Sequence, residues 1–258
     1  MMRHKYDLIV CLTTFHHEFL KLSVSGLRGI NKKTLLIIHN DNPCKKLTKK
    51  HVRKLGYHGK LIIINNPDNL GLLQTRIAAI EHIKTHKISS KWIMFANDDD
   101  IILNTKVIDI ADSTFAIMGN SVVISSNLLD ILRLMENAQD YTIDNADNFL
   151  KAPNIGMAGT FIKFDIMLDY AEFLKHITEK LQETISNTHF VPPIDLIMWH
   201  ILVEYMRVKY PAMSPIYMNQ TNYLMTKLNG TLHATDSQIQ AMLERVMSIV
   251  DAALWGNE

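Results

Sequence analysis

The sequence predicts an α/β fold in which a mostly parallel central sheet is flanked by helices. Three observations favour it: four short apolar runs rich in β-branched residues, helical patterns between these runs, and polar residues directly after each run. Strands that are buried on both faces of a parallel sheet have nearly continuous apolar sequences. The chain has 258 residues, which is enough for one large domain of this class.

The first half of the chain carries the regular part of this pattern. The predicted strands are DLIVCL (7–12), TLLIIH (34–39), KLIIIN (60–65) and KWIMFA (91–96). The predicted helices between them are 18–28, 46–56 and 71–88. The third helix repeats apolar residues at helical spacing, as expected of a helix that packs on a sheet.

The second half of the chain is less regular. Strand-like segments occur at 121–126 and 159–164, with a turn-rich stretch up to about residue 155. Helices are predicted at about 165–184, 194–207 and 236–254. The last of these has one apolar face, which is typical of an amphipathic helix. Neither an internal repeat nor a low-complexity linker interrupts the chain, so we expect one domain over residues 1–258.

Charge and cysteine content exclude several classes of protein. The chain has 27 basic and 26 acidic residues, so no general positive field would recruit nucleic acid. Cys11 and Cys44 make no disulfide framework, and the amino terminus enters an apolar strand without a signal-peptide pattern, which favours the cytoplasm. No apolar run is long enough for a transmembrane helix.

A local basic stripe follows the second predicted strand. Its members are Lys45, Lys46, Lys49, Lys50, Arg53 and Lys54. Most charge runs are solvated faces, and that interpretation is favoured here. The alternative is peripheral contact with an anionic membrane, at the inner face if the protein is cytoplasmic.

Polar residues follow all four strands of the first half. They are Thr13 to Leu20, His39 to Asn42, Asn65 to Gly71, and Asn97 to Asp100. In a parallel α/β sheet, ligands bind outside the carboxyl ends of the strands. Any one polar loop is unremarkable, but four converging loops predict a crevice that binds a polar ligand.

Three of these segments resemble motifs of the nucleotide-sugar-dependent glycosyltransferases with the GT-A (Rossmann-like) fold, particularly the family 2 group. Thr14-Phe15-His16-His17-Glu18-Phe19-Leu20 resembles the first-strand motif Thr-Tyr-Asn-Arg-Pro-x-x-Leu. The segment from Asn69 through Gly71 to Arg76 is similar to Asn-x-Gly-x-x-x-Ala-Arg-Asn, and Asn97-Asp98-Asp99-Asp100 stands where the family has Asp-x-Asp. The resemblance covers about residues 6–105 and rests on the order and spacing of all three motifs.

The resemblance implies a nucleotide-binding half at about residues 1–105, an acceptor-binding half at about 106–234, and a C-terminal amphipathic helix at 235–258. It also implies a divalent cation, Mn²⁺ or Mg²⁺, because such ions neutralise the diphosphate leaving group. Asp99 is the favoured metal ligand, with Asp100 beside it, and Asp98 lies nearer the ribose. A literal Asp98-x-Asp100 register remains open, as does a merely solvated acidic turn.

The same resemblance implies the nucleotide contacts. They are Thr13, Thr14, Phe15, Asn40, Asp41, Arg76 and Asp98. Asn40 and Asp41 stand where the family usually has one aspartate at the end of the second strand. Arg76 would approach the base or the diphosphate, although an ordinary solvated arginine is the alternative.

An inverting transfer also needs a carboxylate base for the acceptor hydroxyl. Asp195, which follows a double proline and opens an apolar helix, best matches the family's late Glu-Asp pair, with Ile194 in place of the Glu. Its alternative role is to favour the helix dipole. Asp165 and Asp169 are lesser candidates, and His233 lies where some GT-A enzymes complete the metal sphere.

The sequence therefore predicts a metal-dependent transfer of a sugar from a nucleoside diphosphate to a hydroxyl of a glycan or glycolipid acceptor, as in polysaccharide biosynthesis. One alternative is a sugar-phosphate nucleotidyltransferase, although the loop after the first strand is not the glycine-rich phosphate loop it would need. Another is a non-catalytic nucleotide-sugar binding module, suggested by Asn97 and Ile194. No Walker loop, zinc-type cysteine cluster or nucleophile elbow is present in the sequence.

Overall fold

A computed structural model describes residues 5–27, 33–103, 112–125, 150–153, 156–188, 193–227 and 236–256. The strands in these ranges are β1 (Tyr6–Thr14), β2 (Thr34–Asn40), β3 (Lys60–Asn65), β4 (Ser90–Asn97), β5 (Ile101–Ile102), β6 (Thr114–Ser125), β7 (Leu150–Pro153), β8 (Phe161–Lys163) and β9 (Ser214–Lys227). The helices are α1 (Leu20–Gly26), α2 (Lys49–Lys54), α3 (Gly71–Thr85), α4 (Phe164–Ser186), α5 (Ile194–Lys209) and α6 (Asp236–Trp255).

The strands form one mixed sheet with the order β3-β2-β1-β4-β8-β6-β9-β5, and β7 pairs with β6. Strands β3, β2, β1 and β4 run parallel to one another, whereas β8 is antiparallel to β4. The four parallel strands are the four that the sequence predicts, and their carboxyl ends meet at one edge of the sheet. The predicted α/β class, with a mostly parallel central sheet flanked by helices, is confirmed.

Helices cover both faces of the sheet, as the continuous apolar strands require. On one face, residues of α3, α4, α5 and α6 pack with Ile9, Ile37 and Phe95 in a single core. On the other face, α1 and α2 pack against alternate residues of the same strands, including Val10 and Met94. Strand residues are therefore buried in both directions, which explains why β2 is apolar nearly throughout.

The structure extends beyond the sequence prediction in the second half of the chain. Strands β5, β7 and β9 were not predicted, and the predicted 121–126 strand is the end of the longer β6. Strand β9 was missed because Ser214-Pro215 and a polar stretch interrupt its apolar pattern. It is nevertheless paired along β6, with three register shifts. None of the described helices has the length and apolar character that crossing a bilayer would require.

His39 is an ionisable side chain inside the parallel sheet. It lies near the end of β2, is 3% exposed, and its ring nitrogens have no hydrogen-bond partner among the described residues. Burial, reinforced by the nearby His82, lowers the pKa of His39 from its ordinary 6.5 to about 4. The folded state therefore holds neutral imidazole, and the unfolded chain binds a proton first as the pH falls.

This burial predicts an acid-sensitive fold. Stability supplied by neutral His39 is complete above pH 6.5 and declines as the pH falls to about 4, by about 3 kcal/mol. The free energy of unfolding of the wild type, measured with urea, should therefore fall over this pH interval. His39→Gln should remove that part of the pH dependence. The exposed His58→Gln is the matched control. Parallel pH profiles for the wild type and His39→Gln would contradict the assignment.

Candidate active site

The loop after β1 is fixed by Asp98. One oxygen of this carboxylate, Oδ2, accepts hydrogen bonds from the Thr14 hydroxyl (2.7 Å) and from the backbone N–H groups of Phe15 and His16 (3.0 Å each). Burial raises the pKa of Asp98, while these three donors act in the opposite direction. The first predicted motif and the acidic cluster are thus in direct contact, and Phe15 is 38% exposed.

The loop after β2 is fixed from within the protein. Asp41 is buried and accepts hydrogen bonds from the Leu70 and Gly71 N–H groups, each at 2.9 Å, at the start of α3. Gly71 has a φ of +74°, a backbone conformation that favours glycine. Two motifs that are distant in sequence are therefore joined by one carboxylate.

Asn40 is likewise enclosed. Its side chain is buried, donates to the carbonyl of Lys45 (2.7 Å) and to Asn65 Oδ1 (2.8 Å), and makes a 2.7 Å contact with His17 Nε2. Two residues further along, Asn42 donates to the Phe15 carbonyl at 3.0 Å. Asn40 and Asp41 thus hold the loops that border the crevice, and both side chains are buried.

A buried arginine connects the third motif to the late helix. Arg76 is 1% exposed, and its Nη2 lies 2.8 Å from Asp195 Oδ1 and 3.0 Å from Asn97 Oδ1. Its guanidinium also lies over the Phe95 ring, 5.1 Å from the centroid. The alternative of a solvated surface arginine is therefore wrong. The guanidinium is bound by protein groups near the carboxyl end of β4.

Asp195 is positioned at the start of α5 by two segments. Its Oδ1 accepts from the Ala158 N–H at 2.9 Å as well as from Arg76, and Asn97 Nδ2 lies 3.3 Å from its Oδ2. Gly159, with a φ of +75°, donates its N–H to the Phe95 carbonyl and so anchors this segment to β4. The Asp195 side chain remains 24% exposed and can meet a ligand.

Sequence reasoning missed the role of Asn97 in this network. Its amide oxygen accepts from Arg76, while its nitrogen donates toward Asp195 (3.3 Å) and Asp100 (3.2 Å). An amide can do both, whereas the aspartate of the family motif could not, because a carboxylate has no donor at neutral pH. The departure from the family's aspartate at this position was the available signal.

Asp99 carries the most perturbed carboxyl of the cluster. Burial, then the charge of Asp98 and to a lesser extent that of Asp195, raises its pKa to about 6. Asp100 is 4% exposed and Asp98 fixes the loop after β1, whereas Asp99 is only partly buried. A positive charge there would relieve the repulsion that raises its pKa.

The described residues at this edge of the sheet offer few metal ligands. In the part of the chain that the structure describes, no three His, Cys, Asp or Glu side chains are grouped closely enough to hold a metal between them. Carboxylate oxygen suits Mn²⁺ and Mg²⁺, and Mg²⁺ in particular commonly takes one or two carboxylates together with substrate phosphates. The residues present therefore fit a cation shared with a phosphorylated ligand.

Most of the predicted site residues meet at this edge of the sheet. Thr13 is paired in register with His39 and Asn97, and so lies between the second and fourth strand ends. His233 lies outside the described residues. The lesser candidate Asp165 is exposed on α4, and Asp169 accepts from the Tyr210 hydroxyl just past the carboxyl end of α5, the opposite end from Asp195.

No protein-family model matches the chain, and no curated protein matches it in sequence. Solved structures do resemble it. GalNAc-T7, crystallised with UDP, GalNAc and Mn²⁺, has a TM-score of 0.50 and 11% identity over 93% of this chain and 48% of that chain. The chain thus spans about half the length of GalNAc-T7.

Two bacterial structures match with lower TM-scores. S. aureus TarS 1–349 has a TM-score of 0.45 and 12% identity, covering 97% of this chain and 73% of that chain. The apo-form glycosyltransferase GlyE of Streptococcus pneumoniae TIGR4 has a TM-score of 0.43 and 8% identity, covering 95% and 62%. At such identities, similarity concerns the fold. Together with the order of the strands, the likeness to GalNAc-T7 shows that this chain has the GT-A glycosyltransferase fold.

Proposed function

We propose that the protein is a divalent-metal-dependent glycosyltransferase that moves a sugar from a nucleoside diphosphate to a hydroxyl with inversion. The observation that carries this proposal is the juxtaposition of Asp99 and Asp195 at the end of β4. Burial, together with the charges of its acidic neighbours, raises the pKa of Asp99, and Asp195 is oriented by a buried arginine. Leaving-group neutralisation and proton removal need two such distinct carboxylates.

In the proposed reaction, the acceptor hydroxyl oxygen attacks the anomeric carbon while the bond from that carbon to the diphosphate oxygen breaks. Asp195 takes the hydroxyl proton, and the nucleoside diphosphate departs. Arg76 holds Oδ1 of Asp195 in place, which leaves Oδ2, with its weaker 3.3 Å contact to Asn97, to receive the proton. Arg76 is thus proposed as a positioning residue in place of a nucleotide ligand.

The metal site is proposed at Asp99, with Mn²⁺ or Mg²⁺ as the ion and with Asp100 as the ligand beside it. A bound cation would act as a Lewis acid that neutralises charge on the diphosphate. Asp98 and the Thr13-Thr14-Phe15 segment at the end of β1 would receive the nucleoside, with the exposed Phe15 side chain available to stack on the base. His233 stays a candidate for completing the metal sphere. A glycan or lipid-linked glycan is the proposed acceptor, as in polysaccharide biosynthesis.

Ligand-induced stabilisation tests this proposal directly. A nucleoside diphosphate or nucleotide sugar at 100 times its Kd should raise the melting temperature by roughly 5–10 °C, because it binds only the folded state. The shift should require Mn²⁺ or Mg²⁺ and disappear with EDTA. The measurement is a thermal-shift panel of UDP, GDP, CDP and their common sugar conjugates, with and without metal. If no diphosphate stabilises the protein with either metal, the nucleotide site is wrong.

Product analysis separates the remaining functions. A glycosyltransferase releases nucleoside diphosphate in an acceptor-dependent manner, or slowly by hydrolysis of the donor. A nucleotidyltransferase instead consumes a nucleoside triphosphate and a sugar phosphate and releases pyrophosphate. Metal-dependent binding without either release would identify a non-catalytic nucleotide-sugar binding module.

A further inference from the structure

The protein has a strongly segregated surface charge around α2. Between Asn42 and Pro67 the sequence has seven lysine and arginine residues and no aspartate or glutamate. The whole chain has 27 basic and 26 acidic residues, so the remainder carries 20 basic against 26 acidic ones. A local excess of this kind, inside a molecule that is otherwise acidic, attracts anions at one place and not elsewhere.

Most of these charges are available at the surface. Lys46, Lys49, Lys50 and Lys54 are all exposed. Arg53 is the exception, because its guanidinium donates to the carbonyls of Tyr57 (2.8 Å) and Gly59 (3.0 Å) and so secures the turn after α2. The lysines are thus held on a fixed element, with Val52 of the same helix buried in the core.

A cavity of about 300 Å³ opens beside these lysines, between α1 and α2. Its lining residues are His17, Leu20, Leu47, His51, Lys54 and Leu55. Lys50 precedes Lys54 by one helical turn and so stands on the same side of α2. The cavity therefore combines an apolar wall of three leucines with a rim of imidazole and ammonium groups.

This cavity adjoins the candidate active site through His17. The His17 ring lies 2.7 Å from Asn40, whose neighbour Asn42 bonds to the Phe15 carbonyl in the loop that Asp98 fixes. Whatever occupies the cavity would lie beside the nucleotide loop, on the side of α1 and α2. The opposite face of the sheet, which carries α3, α4, α5 and α6, would point away from it.

We propose that the cavity and the rim formed by Lys50, His51 and Lys54 dock the protein on an anionic membrane surface, with a lipid phosphate at the rim and the glycerol region against the leucines. Each lysine near such a surface adds attraction that falls off within a Debye length. Nucleic acid is less favoured, because the aromatic residue of the segment, Tyr57, is buried and offers no stacking face. The proposal is independent of the glycosyl transfer.

Vesicle co-sedimentation tests the docking without any donor or acceptor. The full chain should bind vesicles with about 30% phosphatidylglycerol, should not bind pure phosphatidylcholine, and should be released as salt is raised from about 0.05 to 0.5 M. The double variant Lys50→Glu/Lys54→Glu should lose at least about tenfold in affinity. The matched control, Lys180→Glu/Lys209→Glu, makes the same change in net charge at exposed positions on α4 and α5 and should bind like the wild type.

Several results would overturn the docking. They are equal loss in both double variants, salt-independent binding, binding to pure phosphatidylcholine, and tighter binding to an RNA or DNA oligonucleotide than to the anionic vesicles. Stabilisation by glycerol phosphate or inorganic phosphate without vesicle binding would make the cavity a site for soluble phosphates instead. Unchanged melting temperatures of the variants show that they fold. Because nucleotide-induced stabilisation is measured separately, failure of the docking leaves the proposed enzyme untouched, and the reverse also holds.

Discussion

Asp99→Asn is expected to abolish metal-dependent transfer while making the metal-free protein more stable. Activity should fall by at least about 100-fold, because the variant lacks the carboxylate that fits the cation and therefore leaves the diphosphate charge unneutralised. The Mn²⁺-dependent part of the nucleotide-induced thermal shift should disappear with it. Transfer assays and thermal-shift measurements with and without Mn²⁺ check both effects.

The gain in stability follows from the direction of the Asp99 pKa shift. Its ordinary value of 3.8 rises to about 6 through burial and the charges of Asp98 and Asp195. The folded state therefore binds the Asp99 proton more tightly than the unfolded chain, and the wild type loses stability as the pH rises from about 4 to 6. Removing the charge should recover up to about 3 kcal/mol at pH 7 and nothing below pH 4.

Urea unfolding at pH 7 and at pH 4 measures this difference, with Asp251→Asn as a matched control at an exposed position of α6. The control should change neither the metal response nor the pH dependence. A fully active Asp99→Asn enzyme would remove the metal assignment. A variant that is less stable than the wild type at pH 7 would contradict the electrostatic account of the cluster.

The same pH interval affects cation binding. Protons compete for Asp99 as the pH falls through about 6, so Mn²⁺ should bind the apo protein more weakly at pH 5 than at pH 7.5, by about tenfold. Isothermal titration at the two pH values measures this change. An affinity that does not change with pH would place the cation on another group.

The strand ends were predictable because parallel strands place their carboxyl ends at one edge, whatever the details of packing. Thr14, Asp98 and Asp99 could be identified in this way, and their contacts follow from adjacent strands, β1 and β4. The internal roles of Asn40 and Asp41 could not be identified. A polar residue after a strand has the same sequence signature whether it faces a ligand or accepts hydrogen bonds from the next loop.

Arg76 illustrates the same limit more sharply. Its motif position indicated a role in the site, but its partner Asp195 is 119 residues further along the chain, and nothing local pairs the two. Their contact depends on α5 packing against α3 and β4 in one core, which is a tertiary outcome. Strand β9 was missed for a related reason, since pairing with β6 overrides its interrupted apolar pattern.

Asp195→Asn is expected to lower kcat by about 10² to 10⁴-fold while donor binding survives. The amide keeps the size of the carboxyl and an acceptor oxygen for the Ala158 N–H, 2.9 Å away, so α5 should stay in place. What it lacks is the capacity to take the acceptor proton. Acceptor-dependent release of nucleoside diphosphate measures the loss, and the thermal shift with donor and Mn²⁺ measures binding. Wild-type turnover would mean that another group is the base.

Arg76→Met distinguishes positioning of this base from simple support of the fold. Removing a guanidinium that is 1% exposed leaves Asp195 partly buried without its cation, which should cost about 3–5 kcal/mol of stability. If the loss comes from the unpaired charge of Asp195, adding Asp195→Asn to Arg76→Met should recover part of the lost stability. The double-mutant cycle should then give a coupling free energy within about 0.5–3 kcal/mol, and at least about 1 kcal/mol.

The effects of the two substitutions on catalysis should be non-additive, because Arg76 acts through Asp195. Arg76→Met should lower kcat in the wild type but change it little in the Asp195→Asn variant. Equal losses of kcat in both backgrounds would show that Arg76 acts on the substrate directly.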